Sequence, residues 1–189
     1  MKPASRYLYW CFKNLYTPKE IKILNKKIQR NLTNSVKDTP ATYVVKTAKV
    51  KLVNPQKIPE LNRTFESMHD ANRQNFGFNL YSSINDKQTV LNYNIYDAKS
   101  KGEYAYHADF QYDHAVSDIK LTGLLNLSME SYEGGDLYIN PFGREVLISE
   151  LSQSGTLIVF PSWFLHKVAP ITKGKRRSLA LWAKGPKFT

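Results

Sequence analysis

A single cysteine, Cys11, stands among 189 residues, so no disulfide closes within the chain and nothing in it asks for an oxidising compartment. No apolar run approaches the roughly 20 residues of a membrane-spanning helix. The opening stretch, MKPASRYLYWCFKNLYTPKE, has neither the continuous apolar segment nor the small-residue cleavage site of a secretory leader. These absences lead us to expect a soluble, cytoplasmic protein that engages no membrane. No internal repeat or low-complexity linker interrupts the chain, and 1–189 is expected to fold as one domain large enough to bury a real core.

Acidic residues are scarce too, 16 against 27 Lys and Arg, for a net charge of +11. Residues 1–57 hold 13 of the basic residues and 2 of the acids, so the whole excess lies there and residues 58–189 are neutral. A basic surface attracts nucleic acid, anionic membrane or an acidic protein. No nucleic-acid-binding motif accompanies it, and a solvated lysine-rich face is the favoured reading. Aromatic residues, by contrast, make up 13% of the chain, which is the composition of a packed globule.

The first 86 residues read as a helical, basic support region. TPKEIKILNKKIQRN opens with Thr17 as N-cap, Pro18 in the first turn and Glu20 completing a capping box. Ile21, Leu24 and Ile28 fall on one face, with Lys19, Lys22, Lys26 and Arg30 opposite. A strand or two is expected over 43–53, and a second helix over 58–75, where Leu61, Phe65 and Met68 recur at helical spacing. From residue 87 the period changes. Strands are expected over 87–97, 104–110, 120–129, 135–140, 145–150, 155–161 and 176–183, separated by turn-forming clusters. Helices followed by about seven short strands indicate an α+β fold, a sandwich or jelly roll over 87–188 with helices packed on one face.

Within the second of these strands stands His-Ala-Asp. Residues i and i+2 project from one strand face, so His107 and Asp109 point the same way. Two ligands hold a divalent metal poorly, and His166, just beyond the apolar strand ending at Pro161, is the candidate third. Two histidines and a carboxylate leave metal positions open, as in non-haem Fe(II) oxygenases, although zinc accepts the same set. His69, in the second helix, and His114, in the loop QYDHAVSD (111–118), read as surface or structural histidines. Farther on, Arg176, Ser178, Ala180 and Trp182 share a strand face. An arginine directed into a sheet interior is costly unless it meets an anion, and a guanidinium beside a hydroxyl is a good carboxylate receptor. The alternative at this point is that Arg176 reaches solvent or a structural acid, with Arg177 the outward neighbour. Trp163 and Phe164, next to His166, either wall a pocket or fill the core.

Residues 88–188 resemble the 2-oxoglutarate/Fe(II)-dependent dioxygenases, and most of all the prolyl-4-hydroxylase-like branch that includes the PKHD-type hydroxylases. The resemblance rests on Y-x-x-H-x-D, then E-G-G-D-L, then F-P-S-x-x-x-H-x-V-x-P-I-T-x-G-x-R-x-S. It implies a double-stranded β-helix core with supporting N-terminal helices, and Fe(II) held by His107, Asp109 and His166. It also implies 2-oxoglutarate as cosubstrate, its distal carboxylate on Arg176 beside Ser178, with Tyr96, Tyr104 and Asn126 lining its pocket. Hydroxylation of an unactivated C–H bond with O2, releasing succinate and CO2, is the activity implied, with ascorbate an optional reductant. The substrate is expected to be a prolyl or other side chain of a protein or peptide, or a small molecule. Oxidative demethylation of nucleic acid and a non-catalytic jelly-roll binding module are the alternatives. The lysine-rich turn DAKSKGE and the loop QYDHAVSD depart from the family pattern where the substrate opening is expected, so substrate identity does not carry over.

Overall fold

The computed structural model describes residues 7–32, 45–82, 90–109 and 118–187. His114 and most of the 111–118 loop lie outside the described residues, as do 43–44 and 87–89 of two expected strands. In chain order the elements are β1 (Trp10–Phe12), α1 (Pro18–Arg30), β2 (Lys49–Val53), α2 (Asn62–Ala71), β3 (Leu91–Asp97), β4 (Tyr104–His107), β5 (Asp118–Asn126), β6 (Glu133–Gly134), β7 (Leu137–Asn140), β8 (Val146–Leu147), β9 (Leu157–Pro161), β10 (Leu165–Val168), β11 (Ile171–Lys173) and β12 (Lys175–Gly185). Among these residues no helix is long and apolar enough to cross a membrane.

Helix α1 begins where its capping signals place it. The Thr17 hydroxyl accepts from the Glu20 N–H, and the Glu20 carboxylate accepts from the Thr17 N–H at 2.8 Å. Ile21, Leu24 and Ile28 are buried, together with Asn25. The expected second helix is shorter than its pattern: two 3-10 turns over 55–61 precede α2, and a π turn over Asn72–Phe76 follows it. Leu61, Phe65 and Met68 nevertheless share one buried face.

The main sheet has the order β1-β9-β5-β12-β3-β2 and the smaller one β4-β10-β7-β8, both antiparallel, as a jelly roll requires. Both faces of the main sheet are covered, which is why β5 and β9 are buried along their whole length and read as unbroken apolar runs. Alternation divides the two cores. Leu91, Tyr93, Leu121, Leu125, Leu157, Val159, Leu179 and Leu181 pack against the helices. Tyr96, Leu124, Ile158, Phe160 and Ala180 pack against the smaller sheet through Leu137, Ile139 and Val168. The helices sit close: a methyl group on Gly123 of β5 would lie 2.8 Å from the Met68 sulfur.

Three expectations need correcting. The strand expected over 145–150 is two residues of β8 followed by a 3-10 turn at Ser149–Ser152, because its apolar residues split between the sheet edge and the core beneath. Strands β1, β6, β10 and β11 are too short to show periodicity and were not expected. Arg177, on the opposite face of β12 from Arg176, is half-buried rather than free in solvent, standing beside α1 where it lines a cavity.

The capping box makes a pH-dependent prediction. Hydrogen bonds from the Thr17 backbone and hydroxyl, and then Arg63, hold the Glu20 carboxyl at about 2 against its ordinary 4.5. A depressed carboxyl stabilises the fold above its unfolded pKa, and this is lost as pH falls through the folded value. Thr17→Ala should therefore cost about 1 kcal/mol in urea unfolding at pH 7. The stability gap between wild type and Glu20→Gln should be full at pH 7 and close as pH falls from 4.5 towards 2.

Candidate metal and anion site

Antiparallel pairing of β4 with β10 sets His107 directly opposite His166. Each ring is anchored on its own strand. His107 Nδ1 lies 2.9 Å from the Ala105 carbonyl and His166 Nδ1 3.0 Å from that of Phe164. A carbonyl only accepts, so each Nδ1 carries a proton, and in the neutral ring it is then Nε2 that presents the lone pair. Those lone pairs converge on Asp109, with Nε2–Oδ separations of 3.6 Å from each histidine, too long for direct hydrogen bonds. The three ligand atoms lie within 4.8 Å of one another. Two neutral imidazoles and one carboxylate about a common point are a donor set that suits a divalent transition metal.

Asp109 is not a strand residue; β4 ends at His107. The aspartate is fixed instead by the turn after β9 and by β5, its N–H donating to the Ser162 carbonyl at 3.0 Å and its Oδ2 accepting from the Thr122 hydroxyl at 2.8 Å. His166, just beyond the strand ending at Pro161, lies within the next strand, β10. Burial, and then the neighbouring His166, push His107 down to about 4, so it stays neutral well below pH 7. The Tyr104 ring stacks on His107 at 3.5 Å, and the Phe160 edge meets His166 at 5.0 Å. Burial, and then the Asp109 charge, raise the Tyr104 phenol to about 12 and keep it a neutral donor.

Across the interior lies Arg176, 1% exposed. Its Nη1 reaches the Ser178 hydroxyl at 3.5 Å, its guanidinium stands 5.3 Å from the Tyr96 ring, and its Nη2 is buried without a partner. Among the described residues no carboxylate pairs with it. A buried, unneutralised guanidinium is destabilising on its own and becomes favourable once an anion fills the space beside it. Two more buried polar atoms on the same face lack partners, Asn94 Oδ1 opposite Ser178 and Trp182 Nε1 opposite Thr122. The glycines of EGGDL make room: a methyl group on Gly135 would lie 3.1 Å from the Arg176 Cδ.

The structure thus gathers His107, Asp109 and His166 at one point, and Tyr96, Arg176 and Ser178 in one group. Asn126, expected beside the cosubstrate, spends its amide on the protein: its Nδ2 donates to the Leu151 carbonyl at 2.7 Å and to the Tyr132 hydroxyl at 2.9 Å, and its Oδ1 accepts from the Ser128 N–H. Phe164 is core, 7% exposed, and Trp163 is a half-exposed neighbour. His69 is a half-buried residue of α2, outside the histidine cluster. Sequence reasoning did not name Thr122, or Lys46, whose Nζ lies 4.2 Å from the Tyr104 ring centroid. Thr122 has a faint signal, since it shares the strand face of Asn126, but its meeting with Asp109 depends on register.

Comparison with known proteins agrees with this geometry. The family model described as "2OG-Fe(II) oxygenase superfamily" matches residues 90–184. PKHD-type hydroxylases from Parvibaculum lavamentivorans and Alteromonas mediterranea are 34% and 37% identical over 82 and 87 residues, 43% and 42% of this chain. Those matches span only 36% and 37% of the relatives' own length. A Pseudomonas putida prolyl-4-hydroxylase shares the fold with a TM-score of 0.68 at 18% identity, covering 96% of this chain and 94% of that one. A viral collagen prolyl hydroxylase from Paramecium Bursaria Chlorella virus-1, solved as a 2OG complex, does so at 0.66 and 13%, covering 95% and 97%.

The Thr122–Asp109 bond gives a direct test of how the ligands are held. Thr122→Val removes only a hydroxyl and should weaken Mn(II) binding, measured by calorimetry, by about 10- to 100-fold. Thr122→Ser, which keeps the donor, should stay close to wild type.

Proposed function

The chain belongs to the 2OG-Fe(II) oxygenase superfamily, and from that premise we propose that it is a hydroxylase acting on an unactivated C–H bond in a prolyl or other side chain of a protein or peptide. One observation carries this reading: a three-ligand cluster shares the jelly-roll interior with a buried arginine that has no counter-charge among the described residues. A binding module that had lost its chemistry would have no use for both.

Each side chain has a task. His107 and His166 would give their Nε2 lone pairs to the metal, and Asp109, braced by Thr122, would neutralise one of its charges. Arg176 and Ser178 would receive the distal carboxylate of 2-oxoglutarate, with the neutral phenol of Tyr96 beside them. Fe(II) and 2-oxoglutarate, when bound, supply oxidative decarboxylation of the cosubstrate by O2 to succinate and CO2, with the second oxygen atom entering the C–H bond. His166 is buried and His107 and Asp109 partly so, and the apolar core beside them would limit the access of bulk water to this chemistry.

The substrate class rests on the surface beside β10. Phe142, 90% exposed, and Trp163, 38% exposed, both make edge contacts with the Phe164 ring. Exposed aromatic surface flanking the strand of His166 favours a polypeptide over a small polar molecule.

Anaerobic addition of Fe(II) and 2-oxoglutarate should give the visible charge-transfer absorbance of the chelate in wild type. His107→Ala and His166→Ala should not show it, and Arg176→Ala should need on the order of a hundredfold more 2-oxoglutarate. A wild-type protein that shows no band and consumes no 2-oxoglutarate overturns the assignment. Proline-containing peptides should stimulate succinate release, and their proline-to-alanine counterparts should not; stimulation by metabolites alone would replace the peptide reading.

A further inference from the structure

Arg176 and Arg177 are neighbours on β12, so they send their guanidinium groups through opposite faces of the main sheet. The first faces the histidines. The second faces a cavity of about 590 Å³ between α1, β3 and β12, and its Nη1 is also buried without a hydrogen-bond partner. Lys22 and Lys26 of α1 line the same cavity, and no acidic residue does. Among the described residues neither lysine, nor Arg177, is paired with a carboxylate. Of the cavity's neutral polar groups, Tyr93 donates its hydroxyl proton to Asn25 Oδ1 at 2.6 Å, Asn25 Nδ2 donates to the Ile21 and Leu127 carbonyls, and Gln29 Oε1 accepts from Lys51 at 3.4 Å. The polarity left for a ligand is that of donors, most of it cationic.

The remaining wall is apolar. Ile23 and Met129 line the cavity while 50% and 49% exposed. Met129 is held there by the strand itself, since the Arg177 N–H donates to the Ser128 hydroxyl and the Arg177 carbonyl accepts from the Leu127 N–H. A bare inorganic anion would leave Ile23 and Met129 wet, and a wholly apolar molecule would cover three cations without pairing them. We propose that this cavity binds a small amphiphile, an anionic oxygen headgroup on Arg177, Lys22 and Lys26 with its apolar body against Ile23 and Met129. The site is separate from the metal centre and lies on the other side of the sheet.

Octyl phosphate, titrated as monomer into the full chain by calorimetry, should bind once per chain. Octanol and inorganic phosphate should each bind about tenfold more weakly or worse, because each keeps half of the interaction. Arg177→Gln should lose binding by at least about tenfold. Lys26 is exposed, so Lys26→Gln tests the same contact without disturbing the sheet, and it should weaken binding severalfold while leaving thermal unfolding unchanged. Saturating 2-oxoglutarate should not compete. The proposal is overturned if octyl phosphate does not bind, if octanol binds as well, if 2-oxoglutarate displaces it, or if Lys26→Gln leaves its affinity unchanged. Sedimentation with vesicles of phosphatidylserine, without binding of monomeric octyl phosphate, would replace the enclosed ligand by a membrane surface.

Discussion

His107 and His166 face each other across the antiparallel pairing of β4 and β10, and the rest of the site is arranged about that register. Both rings use the same local device, an Nδ1–H donated to the carbonyl two residues earlier on their own strand. Their orientation is therefore set by the polypeptide before any metal arrives. The third ligand obeys a different constraint. Asp109 lies past the end of β4 and is clipped by Ser162 and Thr122, which belong to the opposite side of the interior. The ligand set thus exists only when the two sheets are packed, and the core between them, from Tyr96 and Phe160 to Leu137 and Val168, holds the site as well as the fold. A one-residue slip of β10 would turn His166 out and Leu165 or Lys167 in, removing the centre altogether.

Alternation along β12 works the same way on charge. Leu179, Leu181 and Ala183 fix which face meets the helices, and Arg176, Ser178 and Trp182 then have no choice but the inner face. Unpartnered atoms collect there: Arg176 Nη2, Asn94 Oδ1 and Trp182 Nε1. Buried polar groups are normally satisfied, so three on one surface mark where a polar ligand completes the protein. Asn126 lies on that face too, yet is saturated, because its strand position brings it against the Leu151 carbonyl rather than the open space.

Much of this was legible in the chain. A capping box starts a helix by local chemistry alone, and α1 begins at the residue that chemistry names. The i, i+2 relation of His107 and Asp109 and the inward face of Arg176 are also local. What was hidden depends on pairing. Strands of two to four residues, such as β1, β6, β10 and β11, carry no period of their own and exist because a neighbour offers a ladder. Placing Asp109 in a strand failed for the related reason that pleat alternation says nothing about where pairing stops. Thr122 became a partner of Asp109, and Arg177 a half-buried residue, only through contacts from elsewhere in the chain.

The basic N-terminal excess shows how structure redirects a compositional signal. Part of it is neutralised locally, Lys27 by Glu60, while Glu20, one of the region's two acids, is taken by Arg63 from outside it. The stripe of Lys22 and Lys26 rides on α1, and α1 packs on the sheet face that the histidines do not occupy. An anion drawn to that stripe is held away from the metal site by the full thickness of the sheet. Nucleic acid drawn to the Lys22 and Lys26 stripe would not present a base to His107 and His166, whereas Lys46, another of the N-terminal basic residues, lies over the Tyr104 ring beside the histidines. The candidate ligands for metal and cosubstrate are largely shielded by the packed sheets, which constrain them, whereas Trp163 and Phe142 stand exposed and packing does not dictate them. A family likeness therefore informs the reaction class more directly than the substrate.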